Sequence, residues 1–194
     1  KIMNRNQIKL LMVISIFIIP FVISYFLLDK YNSNQEWQTT NYGNFVNPVL
    51  SINNIKIKSS SDNISNTNSL NGKWTLIQFA HKECLKGCLE TTYLLRQINT
   101  ALGKDMNRVQ RIFISDSKIH TELLIKLQKL YPKLLVVNGP TNGLYNLLSN
   151  ILKTDTVVLL TDPIGNVILT YKEGFEGKKL LKDLKKLLKL SRIG

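Results

Sequence analysis

An uncharged apolar run near the N-terminus constrains this chain more than any other feature. From Leu10 to Leu28 the sequence LLMVISIFIIPFVISYFLL carries no charged side chain. As a helix, a run of this length matches the hydrocarbon core of a bilayer, which is about 30 Å thick. Pro20 lies inside the run, and membrane helices tolerate proline because neighbouring groups satisfy the freed carbonyl. We therefore predict a transmembrane anchor helix over residues 10–28.

A cleaved signal peptide is the alternative interpretation of this run. Such peptides have a shorter apolar region, which small residues of the A-x-A type follow. Here Asp29, Lys30 and Tyr31 follow Leu28 instead. The sequence therefore favours an uncleaved anchor.

The charges on either side of the run predict its orientation. Lys1, Arg5 and Lys9 precede it, whereas Asp29 and Lys30 nearly cancel after it. Positively charged flanks tend to stay in the cytoplasm. We therefore expect residues 1–9 to be cytoplasmic and the rest of the chain to lie across the membrane.

The chain carries a formal net charge of +13, much of it near the C-terminus. Such a balance is typical of nucleic-acid binders. Export across a membrane makes that partner unsuitable, so we expect no nucleic acid. The lysines of the last helix form either a solvated face or a surface attracted to anionic lipid headgroups.

The region after the anchor divides at about residue 72. Residues 29–71 read as a juxtamembrane spacer and N-terminal extension, polar and aromatic up to Asn47. Leu50, Ile52, Ile55 and Ile57 fit a short edge strand or hairpin, and the Ser- and Asn-rich segment Ser59–Asn71 fits a loop. Residues 72–194 have the regular patterns of one compact domain.

The residue patterns of this domain predict alternating strands and helices. Trp74–Ala80 and Val109–Ser115 are β-rich, and the segment 85–102 between them has helical spacing, so the two strands should be parallel. A second helix, capped by Asp116 or Ser117, should bury a stripe of leucines from Leu123 to Leu130. The remaining predicted elements are a strand over 134–137, a helix over 144–151, a hairpin of 156–161 with 166–171, and a helix over 178–190. This order predicts an α/β thioredoxin-like fold behind an N-terminal transmembrane anchor helix.

The two cysteines of the chain, Cys84 and Cys88, lie just after the first strand of this domain. Residues four apart in a helical turn share a face, which brings two sulfurs within reach of each other. The positive end of the helix favours a thiolate there. Such a pair can exchange disulfides, bind a soft ion such as Cu(I), or form a structural disulfide, and spacing alone does not choose.

Several motifs together resemble the SCO/SenC family of cytochrome oxidase assembly proteins. The anchor, the strand followed by Cys84-Leu-Lys-Gly-Cys88, and the turn Thr161-Asp-Pro-Ile-Gly165 carry the resemblance. A proteobacterial branch of SCO-like proteins is similar in further segments, which are Thr40–Gly43, Asn71–Trp74, Arg96–Ile98, Ala101–Lys104, Lys182–Lys185 and Ser191–Gly194.

The resemblance implies a single-pass protein of the inner membrane whose soluble domain is periplasmic. It implies help in maturing the copper centre of cytochrome c oxidase, by delivering Cu(I) or by reducing that centre's cysteines. The partners implied are the membrane, the copper-bearing oxidase subunit and a thioredoxin-like reductant. Cys84 and Cys88 are then the redox dithiol or the copper ligands.

The sequence departs from the family pattern at two positions. Leu89 replaces a proline after the second cysteine, and Thr154 stands where the family has its copper-ligand histidine. His81, three residues before Cys84, is the candidate substitute ligand, whereas His120 begins a helix and has no sequence reason to be near. Two alternatives to assembly therefore stay open, a metal-free thiol–disulfide oxidoreductase and a membrane-tethered interaction module with a structural disulfide.

Overall fold

The computed structural model describes residues 4–34, 40–53, 56–58, 64–66, 71–80, 84, 86–115, 119–137, 147, 156–191 and 193. The chain divides into two compact units, Lys1–Thr40 and Asn41–Gly194. In the described residues the helices are α1 (Arg5–Asn34), α2 (Lys86–Ala101), α3 (Thr121–Leu130) and α4 (Gly177–Leu190), and a 3₁₀ helix spans Gly103–Arg108. The strands are β1 (Asn44–Ser51), β2 (Lys56–Lys58), β3 (Ile64–Asn66), β4 (Trp74–Ala80), β5 (Val109–Ser115), β6 (Leu134–Val137), β7 (Thr156–Thr161) and β8 (Asn166–Lys172).

The first unit is the apolar helix α1. Residues Arg5–Asp29 have a mean hydropathy of 2.7, and none of the most apolar window is buried against protein. A helix that is apolar on all sides and unburied is stable where lipid surrounds it, since its backbone groups are satisfied internally. It is a candidate transmembrane anchor that contains the predicted span 10–28.

The second unit is built on a mixed six-stranded sheet with the order β1-β8-β7-β4-β5-β6. Strands β4, β5 and β6 are parallel, whereas β7, β8 and β1 run antiparallel to their neighbours. The parallel βαβ unit and the β7–β8 hairpin are therefore confirmed. With α2 and α4 packed on one face, this is the predicted thioredoxin-like arrangement.

The segment before β4 is more ordered than the sequence suggested. Strand β1 adds to the edge of the sheet by pairing with β8, and it begins at Asn44, inside the predicted spacer. It shares only Leu50 with the predicted edge strand, whereas Ile57 lies in β2. Strands β2 and β3 form a separate antiparallel pair. The loop prediction for Ser59–Asn71 is therefore wrong at Ile64–Asn66, because pairing with Lys56–Lys58 is not visible in local composition.

Helix α3 differs from its prediction at both ends. Its N-cap is His120, so Asp116 and Ser117 do not cap it. Leu127 is buried, but Leu130, predicted in the buried stripe, is 47% exposed. The helix predicted over 144–151 lies outside the described residues except for Leu147.

The sheet is buried on both faces at its centre. Every residue of β4 is buried, because β4 lies between β5 and β7 and is covered on both sides. On one face Leu76, Val158 and Leu160 pack with Leu95 and Ile98 of α2 and with Leu180, Leu184 and Leu188 of α4. On the other face Ile77, Phe79, Ile112 and Leu159 pack with Val46 of β1.

A buried carboxylate ties α4 to the start of β1. Asp183 is 3% exposed and accepts hydrogen bonds from the backbone N–H groups of Tyr42 and Gly43, both at 2.9 Å, and from the Tyr171 hydroxyl at 2.7 Å. Burial, together with the Asp183 carboxylate, raises the pKa of Tyr171 above its ordinary range, so the phenol remains a donor. The tie holds the N-terminal edge strand to the domain.

The β7–β8 hairpin turns on Asp162. Its Oδ1 atom accepts from the N–H groups of Ile164 at 3.0 Å and Asn166 at 2.8 Å, while Pro163 presets the backbone for the turn. Gly165 has a φ of 88°, a conformation that L side chains rarely adopt. A Cβ at this position would also overlap the Asn53 carboxamide.

Replacing Gly165 by alanine is expected to destabilise the domain by about 2 kcal/mol, because the strained φ and the overlap with Asn53 add. Gly174→Ala is the matched control, since Gly174 has a φ of 78° and open space around a Cβ. The control should cost about 1 kcal/mol, from the backbone alone. Denaturant unfolding measures both, and equal losses would contradict a role for Asn53.

Candidate functional site

The predicted cysteine pair lies at the junction of β4 and α2. Cys84 precedes α2, and Cys88 is in its first turn. The two form a disulfide, with Cα atoms 5.2 Å apart. This separation lies within the range that disulfides ordinarily span. The structure thus brings together the two residues that sequence spacing placed on one face.

The two sulfurs differ in exposure. Cys88 is 4% exposed and belongs to a core cluster with Ala80, Phe113 and Leu127. Cys84 is half-buried at the margin of the same cluster. A reagent from solvent therefore meets Cys84 first, and Cys88 is shielded behind it.

A buried polar pair contacts Cys88 from the strand side. The Gln78 side chain is fully buried, and its Nε2 atom donates to the Cys88 carbonyl at 2.8 Å and lies 3.5 Å from the Cys88 Sγ atom. The Thr92 hydroxyl lies 2.9 Å from Gln78 Oε1, to which it donates. An N–H group held against a sulfur stabilises negative charge on it. When the disulfide is reduced, Gln78 and the N-terminus of α2 therefore both favour a Cys88 thiolate.

The first turn of α2 lies beside an acidic side chain. A Cβ at Gly87 would lie 2.9 Å from Oε1 of Glu173, which follows β8. A larger residue at this position would have to displace the carboxylate. Glu173 brings a negative charge next to the first turn of α2, and that charge opposes ionisation of the cysteines.

The structure describes only one of the two histidines, His120. The predicted ligand His81 lies outside the described residues, as does Thr154. His120 is exposed at the N-cap of α3, although its neighbour Ile119 belongs to the same core cluster as Cys88. Within the described ranges, no group of three or more His, Cys, Asp or Glu side chains could hold a metal ion.

The chemistry of the donor set suits Cu(I) as a cargo only in the reduced protein. Two thiolates are soft ligands of the kind that Cu(I) prefers. In the disulfide both sulfurs are bonded to each other, so neither is available as a thiolate. Copper binding at this pair therefore requires prior reduction.

Sequence reasoning missed Gln78, Thr92 and Glu173 as neighbours of the cysteines. Only Gln78 left a signal, because a glutamine in the middle of the apolar strand WTLIQFA has no reason to be there unless it is buried with a partner. Thr92 and Glu173 are ordinary residues in a helix and after a strand, and only the packing reveals their positions.

Comparison with known proteins agrees with this geometry. A family model described as "Transmembrane-like, thioredoxin-like, C-terminal domain" matches residues 74–191, more than half of the chain. No curated protein matches the chain significantly.

Solved structures of Sco proteins share the fold. Apo Sco1 from Thermus thermophilus has a TM-score of 0.64 and 17% identity, over 79% of this chain and 100% of that one. Yeast Sco1 with copper bound has a TM-score of 0.62 and 18% identity, over 75% of this chain and 96% of that one. BsSco, a Sco-family cytochrome c oxidase assembly protein in which a disulfide switch was identified, has a TM-score of 0.57 and 15% identity, over 76% of this chain and 99% of that one.

At these identities the likeness establishes the fold, and it confirms at that level the resemblance seen in the sequence. The strand, the cysteine pair at the start of the helix and the hairpin all fall within the matched domain. The chain therefore belongs to the transmembrane-like, thioredoxin-like C-terminal domain family, and that domain has the fold of the Sco proteins.

Proposed function

We propose that this protein is a membrane-anchored Sco-like factor that assists assembly of the copper centre of cytochrome c oxidase by thiol–disulfide exchange at Cys84 and Cys88. The observation that carries the proposal is the disulfide at the strand–helix junction, with one half-buried and one buried sulfur. Thiol–disulfide exchange needs an accessible attacking sulfur and a second sulfur close by to resolve the mixed disulfide.

The step is a two-electron exchange. In the reduced protein the Cys84 thiolate attacks a disulfide of the oxidase subunit, which releases one subunit thiol and forms a mixed disulfide. The Cys88 thiolate then attacks Cys84, which closes the Cys84–Cys88 disulfide and releases the second subunit thiol. Two electrons and two protons pass to the subunit, and a thioredoxin-like reductant restores the Cys84–Cys88 dithiol.

The oxidase is proposed as partner because BsSco, which shares the fold, is described as a cytochrome c oxidase assembly protein. The candidate anchor agrees with a membrane-embedded partner. In this proposal residues 1–9 are cytoplasmic, 10–28 span the inner membrane, and 29–71 link the anchor to the domain of residues 72–194 on the periplasmic side. The extension contributes β1 to the sheet.

A redox titration tests the exchange activity. The full chain in maltoside micelles is equilibrated with glutathione buffers, and the reduced fraction is read from alkylation with a heavy maleimide. We expect a reduction potential well above about −300 mV, the region of inert structural disulfides. A bond that resists reduction until the domain unfolds would leave only the structural role.

Trapping distinguishes the two sulfurs. Cys88→Ser leaves the accessible Cys84 without a resolving partner, so it should accumulate a mixed disulfide with a short peptide whose own two cysteines are joined in a disulfide. Cys84→Ser is the matched control, and its buried Cys88 should trap the same peptide at least about tenfold less. Equal trapping by the two variants would contradict the assigned roles.

Delivery of Cu(I) is a second candidate, favoured by the two soft sulfur ligands held on one turn. The reduced chain should then bind one Cu(I) in competition with a Cu(I) chelator, and Cys84→Ser/Cys88→Ser should lose it. No difference between wild type and the double variant would exclude delivery and leave the exchange activity to the redox titration. His81→Ala would report whether the imidazole completes the site.

A further inference from the structure

A cavity of about 550 Å³ lies away from the cysteines, beside the N-terminal end of β4. It is bordered by α2, the beginning of β5 and the connection from α3 to β6. Lys73, which precedes β4, lines it, whereas Cys84 follows the opposite end of that strand. The strand of seven residues separates the two sites by about 20 Å.

Arg111 forms the buried wall of this cavity. It projects from β5 on the face covered by α2 and is 6% exposed. Its Nη1 atom is buried and makes no hydrogen bond to any part of the chain that the structure describes. A buried guanidinium N–H without an acceptor is costly, because the donor has lost its hydrogen bonds to water. Burial is the largest cause that lowers the pKa of Arg111. The neighbouring Arg96 lowers this pKa further, whereas Tyr131 raises it.

The other described residues of the lining add positive charge. Arg96 of α2, Lys73 and Lys133 line the cavity with Arg111, and none of the lining residues that the structure describes is acidic. The Arg96 guanidinium carbon lies 5.7 Å from the centre of the Tyr131 ring, which orients it. The nearby Asp105 is paired with Arg108 at 3.1 Å.

We propose that this cavity binds a small oxyanion bearing a phosphoryl group, with Arg111 as the buried anchor. Four cations without a carboxylate favour a ligand with at least two negative charges. The planar guanidinium donors of Arg111 and Arg96 match the oxygens of a phosphate. Such a ligand supplies the acceptor that Arg111 Nη1 lacks. The group can belong to a free phosphate or to a lipid headgroup.

The test is calorimetric titration of the full chain, in uncharged maltoside micelles, with inorganic phosphate and with pyrophosphate at ionic strength matched by chloride. We expect saturable binding that Arg111→Met weakens at least about tenfold, since a charge-assisted hydrogen bond is lost. Arg111→Met should also unfold at a higher temperature than wild type when phosphate is absent, because it removes a buried charged group with an unsatisfied donor.

Two double variants keep the test decisive if Arg111→Met folds poorly. Arg96→Gln/Lys133→Gln removes two exposed lining charges and should weaken phosphate binding at least about tenfold. Lys185→Gln/Lys189→Gln makes the same change in net charge on the exposed side of α4 and should bind as wild type does.

A second titration, with phosphatidylglycerol vesicles, distinguishes a free phosphate from a lipid headgroup. Binding of inorganic phosphate that depends on Arg96 and Lys133 identifies a free phosphate. Binding to the vesicles alone, lost in Arg96→Gln/Lys133→Gln but kept in the α4 control, identifies a headgroup. Binding of neither anion, or equal weakening by both double variants, overturns the proposal.

Discussion

Replacing Asp183 by alanine is expected to lower the free energy of unfolding of the C-terminal domain by about 3–5 kcal/mol. The carboxylate is 3% exposed and accepts from three donors, which are the part-buried N–H group of Tyr42 and the buried Gly43 N–H and Tyr171 hydroxyl. Without it the two buried donors are left unsatisfied, and a cavity forms where the carboxylate was. Denaturant unfolding followed by near-ultraviolet circular dichroism measures the loss.

Asp105→Ala is the matched control for this prediction. Asp105 is half-buried and makes a single ion pair with Arg108 on the 3₁₀ helix, so its loss should cost less than about 1 kcal/mol. Tyr171→Phe removes only one of the three donors and should cost about 1.5–3 kcal/mol. If Asp183→Ala were no worse than Asp105→Ala, the buried tie between α4 and β1 would not stabilise the domain.

Replacing Gln78 by leucine is expected to lower the reduction potential of the Cys84–Cys88 disulfide by about 30–60 mV. The Gln78 amide lies 3.5 Å from the Cys88 sulfur and stabilises the thiolate that reduction produces. A hydrogen bond to a charged group contributes about 1.5–3 kcal/mol, and about 30 mV corresponds to 1.4 kcal/mol for a two-electron couple. Without that donor the reduced form is less stable, so the disulfide is harder to reduce. Equilibration with glutathione buffers measures the shift.

Gln110→Leu serves as the control for Gln78→Leu. Gln110 is on the adjacent strand β5 and donates to the Thr75 hydroxyl at 2.9 Å, near the opposite end of the sheet from the cysteines. The Gln110→Leu variant should therefore keep the reduction potential of the Cys84–Cys88 disulfide unchanged. The Cys88 thiol pKa should rise in Gln78→Leu and stay constant in Gln110→Leu, which separates an electrostatic effect on sulfur from a general loss of packing. A common shift in the two variants would count against Gln78 acting on the sulfur.

The secondary structure was largely predictable because its determinants are local. Runs rich in β-forming residues predicted β4 and β5, and the leucine spacing of α4 predicted its buried face at Leu180, Leu184 and Leu188. The Asp162–Gly165 turn predicted the hairpin, since those residue types satisfy its geometry over four positions. One error came at β3, where pairing with the neighbouring strand β2 overrode a composition typical of a loop.

The cysteine pair itself was predictable, because a spacing of four on one helical turn already brings two sulfurs together. The residues that surround the pair were not predictable. Gln78 of β4 donates a hydrogen bond to Cys88, and Glu173, which follows β8, lies close to Gly87. Arg111 of β5 and Arg96 of α2 line the same cavity.

The amino-acid sequence by itself therefore determined the apolar span, the order of the described strands and helices from β4 to α4, and the proximity of Cys84 and Cys88. Only the tertiary structure decided which polar groups are buried and what they contact, including the Asp183 tie and Arg111, whose Nη1 atom has no partner among the described residues. The physical reason is the sequence separation over which each determinant acts. Periodicity and turn chemistry act between residues a few positions apart, whereas strand register and helix packing bring together side chains that no local pattern relates.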